Sequence, residues 1–259
     1  MRARPAAGLA AALVLAVAAA PALAEPATRL QAEIGRDGLR LTSEVSLDFG
    51  AYALQFGATS NGLPEDGRMS DLHVIASRQF GRHLRFGLET QISNDDALDG
   101  ARASYALRAL ATRGDRALDL SMGVFDGGVE GALFYTVKVS ENWGPNLRAT
   151  GRLHRYSTND EDLDYYAIGL DGTYDLGGGI HARAGGLYRL SDDLTEEGRF
   201  AHLGLGLTPD DALTLSADLV GRDMNGRLGV SAELTVSIAM GQMPFDTDVF
   251  GQSLAAYGH

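Results

Sequence analysis

The chain has 259 residues, no cysteine, 33 glycines and a formal charge of −12, with 45% hydrophobic and 22% charged residues. That balance excludes a bundle of membrane helices, which would be far more apolar, and a disordered chain, which would be poorer in apolar residues. The lack of cysteine excludes thiolate metal sites and disulfide frameworks, and the acidity argues against a nucleic-acid partner, which needs a positive surface.

Arg2 and Arg4 precede an apolar run from Gly8 to Ala20, and Pro21-Ala22-Leu23-Ala24 then meets Glu25. A basic start, a short apolar stretch and a small-x-small site predict a secretory signal peptide over residues 1–24. The run is shorter than the roughly 20 residues a helical span needs, and no later stretch is apolar enough to supply one. The rest reads as one domain over 25–240, followed by a tail over 241–259.

From residue 28 onward the chain alternates. Leu228, Val230, Ala232, Leu234, Val236 and Ile238 interleave with Arg227, Gly229, Ser231, Glu233, Thr235 and Ser237. The same period runs through Leu84, Phe86 and Leu88, through Leu118, Leu120, Met122 and Val124, and through Leu203, Leu205 and Leu207. A period of two means two-faced strands. The pattern predicts an all-β chain with strands near 28–35, 38–49, 51–60, 70–80, 82–93, 101–112, 116–126, 129–140, 146–156, 162–176, 179–190, 199–208, 212–222 and 227–240. Fourteen strands are favoured, or twelve if the first hairpin does not form. Many span about ten residues, which matches the roughly 9–11 that a tilted strand needs to cross a bilayer.

The connections nearly alternate in length. Asn61 to Ser70, Asn94 to Gly100, 157–161 and 191–198 are long and mostly acidic. Phe80-Gly81-Arg82, Arg113-Gly114-Asp115, Gly177-Gly178-Gly179 and Pro209-Asp210-Asp211 are tight. The connections near Gly127-Gly128 and at Asp223-Met224-Asn225 break the rule, being short where long ones are due. Long loops at one end and short turns at the other suit a transmembrane antiparallel up-and-down β-barrel. A soluble sandwich alternates too, and the pattern by itself does not separate the two. Aromatic content of 7% is low for two membrane girdles, although Tyr135, Trp143, Tyr156, Tyr165, Tyr166, Tyr174 and Tyr188 lie near strand ends.

The stretch from Asp164-Tyr165-Tyr166 through Asp171-Gly172-Thr173-Tyr174 and Gly177-Gly178-Gly179 to Ala184-Gly185-Gly186-Leu187-Tyr188 is a hairpin spaced by tyrosine and glycine. It resembles the Gram-negative outer-membrane porins, particularly the porin-like proteins of alphaproteobacteria, and the likeness of pattern extends over most of residues 28–240. The resemblance implies an outer-membrane pore for passive diffusion of small hydrophilic solutes, often a homotrimer, with charged residues at a constriction. One departure stands out. Barrels of that family usually end on the aromatic residue of the last strand, whereas this chain runs on from Gly241 to His259, with Phe250 and Tyr257 the aromatics nearest its end.

If the apolar set faces lipid, the intervening set faces the lumen. The pore-lining candidates are then Arg85, Arg102, Arg108, Lys138, Arg148, Arg152, His154, Arg183 and Arg189, with Glu89, Asp119, Asp171, Asp218 and Glu233, and further acids at Glu44 and Asp48. The bases concentrate in the middle of the chain and several acids on its first and last strands. A basic wall facing an acidic one would set a transverse field; alternatively the charges simply solvate a polar lumen.

No catalytic residue, metal site or cofactor is predicted. His154 and Ser157 invite a lipid-deacylase reading, but a spacing of three puts them on opposite faces of a regular strand. Asp160, Asp162 and Asp164 are spaced as in a calcium loop, yet Tyr165 stands where the turn needs glycine and Asp171 where it needs glutamate. The expected partners are outer-membrane lipid and lipopolysaccharide, the barrel assembly machinery and small polar solutes. The competing readings are a non-conducting barrel with a structural or lipid-modifying role, and a soluble secreted β-protein.

Overall fold

The computed structural model describes residues 25–35, 38–62, 68–95, 101–126, 133–157, 165–191, 197–210, 212–224 and 226–245. The predicted signal peptide and the Asp160–Asp164 spacing lie outside them. Fourteen strands follow one another: β1 (Glu25–Gly35), β2 (Gly38–Phe49), β3 (Tyr52–Gly62), β4 (Arg68–Phe80), β5 (Leu84–Asp95), β6 (Ala101–Arg113), β7 (Arg116–Asp126), β8 (Leu133–Trp143), β9 (Leu147–Ser157), β10 (Tyr165–Gly177), β11 (Ile180–Ser191), β12 (Glu197–Leu207), β13 (Leu213–Met224) and β14 (Arg227–Met240). Each pairs antiparallel with its neighbours in sequence, and β1 pairs with β14, from Thr28 with Met240 to Ile34 with Leu234, so the sheet closes. Closure leaves no unpaired edge, which is what permits a sheet to sit in lipid. The first hairpin forms, and the strand expected over 129–140 is instead displaced to Leu133–Trp143.

Local chemistry fixes one end of the tube. Asp48 Oδ1 accepts from Gly50 N at 2.8 Å, Asp175 Oδ1 from Gly177 N at 2.7 Å, and Asp210 Oδ1 from Ala212 N and Leu213 N at 2.9 and 2.8 Å. An aspartate that bonds its own backbone two residues on is a turn-forming device. Gly114, at φ 58°, reverses the chain between β6 and β7. Both chain ends of the barrel, Glu25 and Met240, lie at this tight-turn end.

The two faces of the sheet are inverted relative to a soluble fold. Leu88, Leu203, Leu219 and Leu228 are 63%, 64%, 62% and 75% exposed on the outside. Of the largest fully buried side chains among the described residues, Gln55, Glu44, Asp71 and Ser46 are polar, and only Phe245, Ile75 and Val220 are apolar. A soluble sandwich buries its leucines; this sheet turns them outward in a continuous band, which only hydrocarbon or a large partner would cover.

Aromatic side chains bound that band. Phe49, Tyr52, Phe80, Phe86, Trp143 and Tyr174 are exposed on the outer face near the tight turns, and Tyr105 and Tyr135 near the opposite end. Tyr166 and Tyr188 share that second level on the outer face of β10 and β11. Tyr166 and Tyr174 on β10 are separated by about 26 Å of strand at the usual rise, roughly 20 Å of height at the tilt of about 35–45° usual in outer-membrane barrels, whose apolar band is roughly 25 Å tall. Arg78 lies over Tyr52 and Phe80 at 5.3 and 4.9 Å, and Arg155 over Tyr166 at 4.5 Å, so a cation accompanies the rings at both levels. Tyr156 does not serve: its register puts it on the inner face with His154 and Arg152.

Candidate functional site

Among the described residues, the buried polar side chains of the sheet gather on its inner face. Arg85, Arg108, Lys138, Arg148, Arg152, His154, Arg183, Arg189, Glu89, Asp119, Asp171, Asp218 and Glu233 all fall on the inner face of their strands, together with Glu44 and Asp48. Of Arg102 only the backbone, in β6, is described.

These charges are not sorted into a basic and an acidic wall. They pair, mostly across strands that are next to each other or one apart. Arg152 Nε lies 3.5 Å from Asp171 Oδ2, and Asp171 Oδ1 lies 2.9 Å from His202 Nε2. The other ring nitrogen of His202 is 3.4 Å from Asp218 Oδ1, and Asp218 Oδ2 is 2.9 Å from Arg183 Nη1. A ladder of charge therefore crosses β9, β10, β12, β13 and β11. Arg222 pairs with Glu233 beside it. The expected sorting into two walls is not what the described pairs show, for a simple reason: in a low-dielectric wall a charge is stabilised most by the nearest opposite charge, and the strand register supplies one.

Glycines make the ladder possible. Gly185 on β11 sits between Asp171 and His202, and Gly204 on β12 between Arg183 and Asp218. A Cβ at Gly185 would collide with Asp171 and His202, and one at Gly204 with Asp218, so the charges reach each other across the bare backbone of the intervening strand. Gly57 does the same on β3, clearing the way for His73 on β4 to approach Glu44 on β2 at 3.5 Å; Arg29 joins Glu44 at 3.4 Å.

The opposite wall is built differently. Arg108 on β6 lies 2.6 Å from Asp119 and 3.6 Å from Glu89, and its guanidinium faces the ring of Phe245 at 4.7 Å. Phe245 belongs to the segment after β14 and is 1% exposed inside the barrel. His154 pairs with Thr136 at 2.7 Å and stacks on Phe134. The β9–β10 pairing is regular there, so no bulge turns Ser157 onto the face of His154.

Sequence reasoning passed over His202, His73, Arg222, Arg29 and Gln55. Arg222 shares the parity of Asp218, and His202 alternates with Leu203 and Leu205, so extending the alternation along those strands would have found both; the strands of Arg29, Gln55 and His73 carried no candidate from which to extend it. Nothing in the sequence pointed to Phe245.

No protein-family model matches this sequence, and neither does any curated protein. Solved structures do match in shape. The outer membrane protein Omp33 of Acinetobacter baumannii superposes with a TM-score of 0.54 at 14% identity, over 84% of this chain and 99% of that one. The outer membrane channel DcaP of the same organism gives 0.54 at 11% identity, over 85% and 99%. An anion-selective porin from Comamonas acidovorans gives 0.52 at 10% identity, over 84% and 99%. The chain thus has the closed antiparallel barrel fold of outer-membrane proteins.

Proposed function

We propose that the protein is an outer-membrane channel of the porin type, through which small hydrophilic solutes diffuse passively. The observation that carries this reading is the inverted distribution of side chains: aliphatic residues between two aromatic belts outside, and charged and polar residues within. Fourteen strands lie between the eight that pack side chains solid and the 16–18 that enclose a water channel, so the bore is set by what projects into it. The solved structures of similar shape include an outer membrane channel and an anion-selective porin. The alphaproteobacterial affinity suggested by the hairpin over 164–188, export by the segment over 1–24, assembly by the barrel machinery, contact with lipopolysaccharide and a trimeric state belong to the same proposal.

On this reading the tight turns face the periplasm and the acidic loops the outside. The lumenal candidates act by their field. Arg148 is exposed on the inner face near the tight-turn mouth, and it biases the entry of anions. The test is single-channel recording of the refolded mature chain in a planar bilayer, with the folded state checked by the shift between unboiled and boiled samples on a denaturing gel. Discrete conductance steps are expected. A folded, inserted barrel with no steps favours the non-conducting alternative, and a compact monomer soluble in plain buffer removes the membrane reading altogether.

A further inference from the structure

The chain does not stop where the barrel closes. After Met240 it reverses at Gly241, whose φ is +74° and which lies against Ala27 and the carbonyl of Pro26. Ala27 is itself buried on the inner face of β1. Met243 and Pro244 are half-buried, and Phe245 is 1% exposed. The segment therefore turns inward at the tight-turn mouth and reaches the wall formed by β3 to β6.

The wall that meets it is complementary in each respect. The Gln55 side chain on β3 donates from Nε2 to Phe245 O at 3.1 Å and accepts from Phe245 N at Oε1 at 3.3 Å, so one buried amide satisfies both polar groups of that residue. Such pairing is what a buried backbone requires. Ile75 on β4 is fully buried on an inner face it shares with Asp71, His73 and Ser77. An isoleucine turned toward an aqueous lumen would waste its apolar surface, and here it lies beside Phe245 at Gly87. A Cβ at Gly87 on β5 would stand 3.0 Å from the Phe245 ring and 3.1 Å from Ile75, so a larger residue there would press on both. Arg108 on β6 caps the ring at 4.7 Å while held by Asp119. Four residues on four successive strands thus form a socket for one phenylalanine and its peptide groups.

We propose that the segment Gly241–Phe245 is a resident plug: anchored by Phe245 in the socket of Gln55, Ile75, Gly87 and Arg108, it narrows the lumen from the tight-turn mouth and restricts the flow of solute. The proposal rests on the channel reading and adds to it that the native pore is partly closed by its own chain.

The experiment compares the full mature chain with a truncation after Met240, with Phe245→Ala and with Gln55→Leu, each refolded, checked for the gel shift and recorded singly in planar bilayers. Removing the plug is expected to raise conductance roughly twofold, because the bore of a barrel of this strand number is decided by what fills it. Phe245→Ala and Gln55→Leu are expected to move in the same direction by less, with more frequent transitions between levels. If the truncation does not refold, the two point variants, which leave every strand intact, decide alone. Folded variants that conduct as the parent does overturn the plug and leave the channel standing. A folded truncation and a full chain that both fail to conduct overturn the channel, and the plug with it.

Discussion

The two halves of the lumen solve the same problem in different ways. On the β9–β13 side, charges on one strand reach charges two strands away across glycine, and Arg152, Asp171, His202, Asp218 and Arg183 form a chain of ion pairs within the wall. On the β3–β6 side the wall offers an amide, an isoleucine, a glycine and a guanidinium, and is completed by a residue from outside the sheet, Phe245. The first wall is joined by its own charges; the second crosses a glycine too, at Gly57 between His73 and Glu44, but is completed by a residue from beyond the sheet. A barrel interior can thus be cross-linked on one flank and occupied on the other, although the outer surfaces of both flanks are alike.

That likeness is the first thing to break. Leu88 on the β3–β6 side and Leu234 on β14, next to the ladder side, are 63% and 56% exposed to the exterior. Arginine at either should cost about 2–4 kcal/mol if near mid-membrane, measured by urea titration of refolded barrels in lipid vesicles. Thr235→Arg, on the inner face next to Leu234, should cost far less. Unequal losses at the two leucines would mean that the flanks differ outside as well as inside.

The next effect separates the flanks. Gly185→Leu drives a side chain between Asp171 and His202, and overpacking of this kind costs about 1–3 kcal/mol. Asp218→Ala removes one acceptor from each of Arg183 and His202, which keep Ser216 and Asp171, a loss of similar size. Both should lower the temperature at which the unboiled gel band converts. Gly151→Ala is the control, since nothing lies within 4 Å of a Cβ there, and its conversion temperature should not fall.

The smallest effect is on selectivity. Arg148→Glu should shift the reversal potential in a salt gradient toward cation preference with the fold unchanged, because Arg148 is exposed on the inner face near the mouth. Arg152→Glu should shift it too, and also destabilise, because the new carboxylate meets Asp171 where Arg152 stood at 3.5 Å. An unchanged potential in Arg148→Glu would remove that residue from the conduction path.

What the sequence determined by itself is the barrel's two-sidedness. Its period of two, strands near ten residues and alternating connections were enough to place Arg108, Asp171, Asp218 and Leu234 on their faces, since in a strand the face follows from position alone. The partners were not legible. Whether Asp171 meets Arg152, His202 or water depends on the register between strands far apart in the chain and on which intervening residue is glycine, and both are properties of the closed sheet. Nor was the path of the chain after Met240 legible: Gly241 permits a reversal, but only the assembled β3–β6 wall, with Gln55, Ile75 and Arg108 brought to one spot, gives Phe245 a reason to turn inward. Local periodicity fixes direction along a strand; contacts between distant strands exist only once the tube has closed.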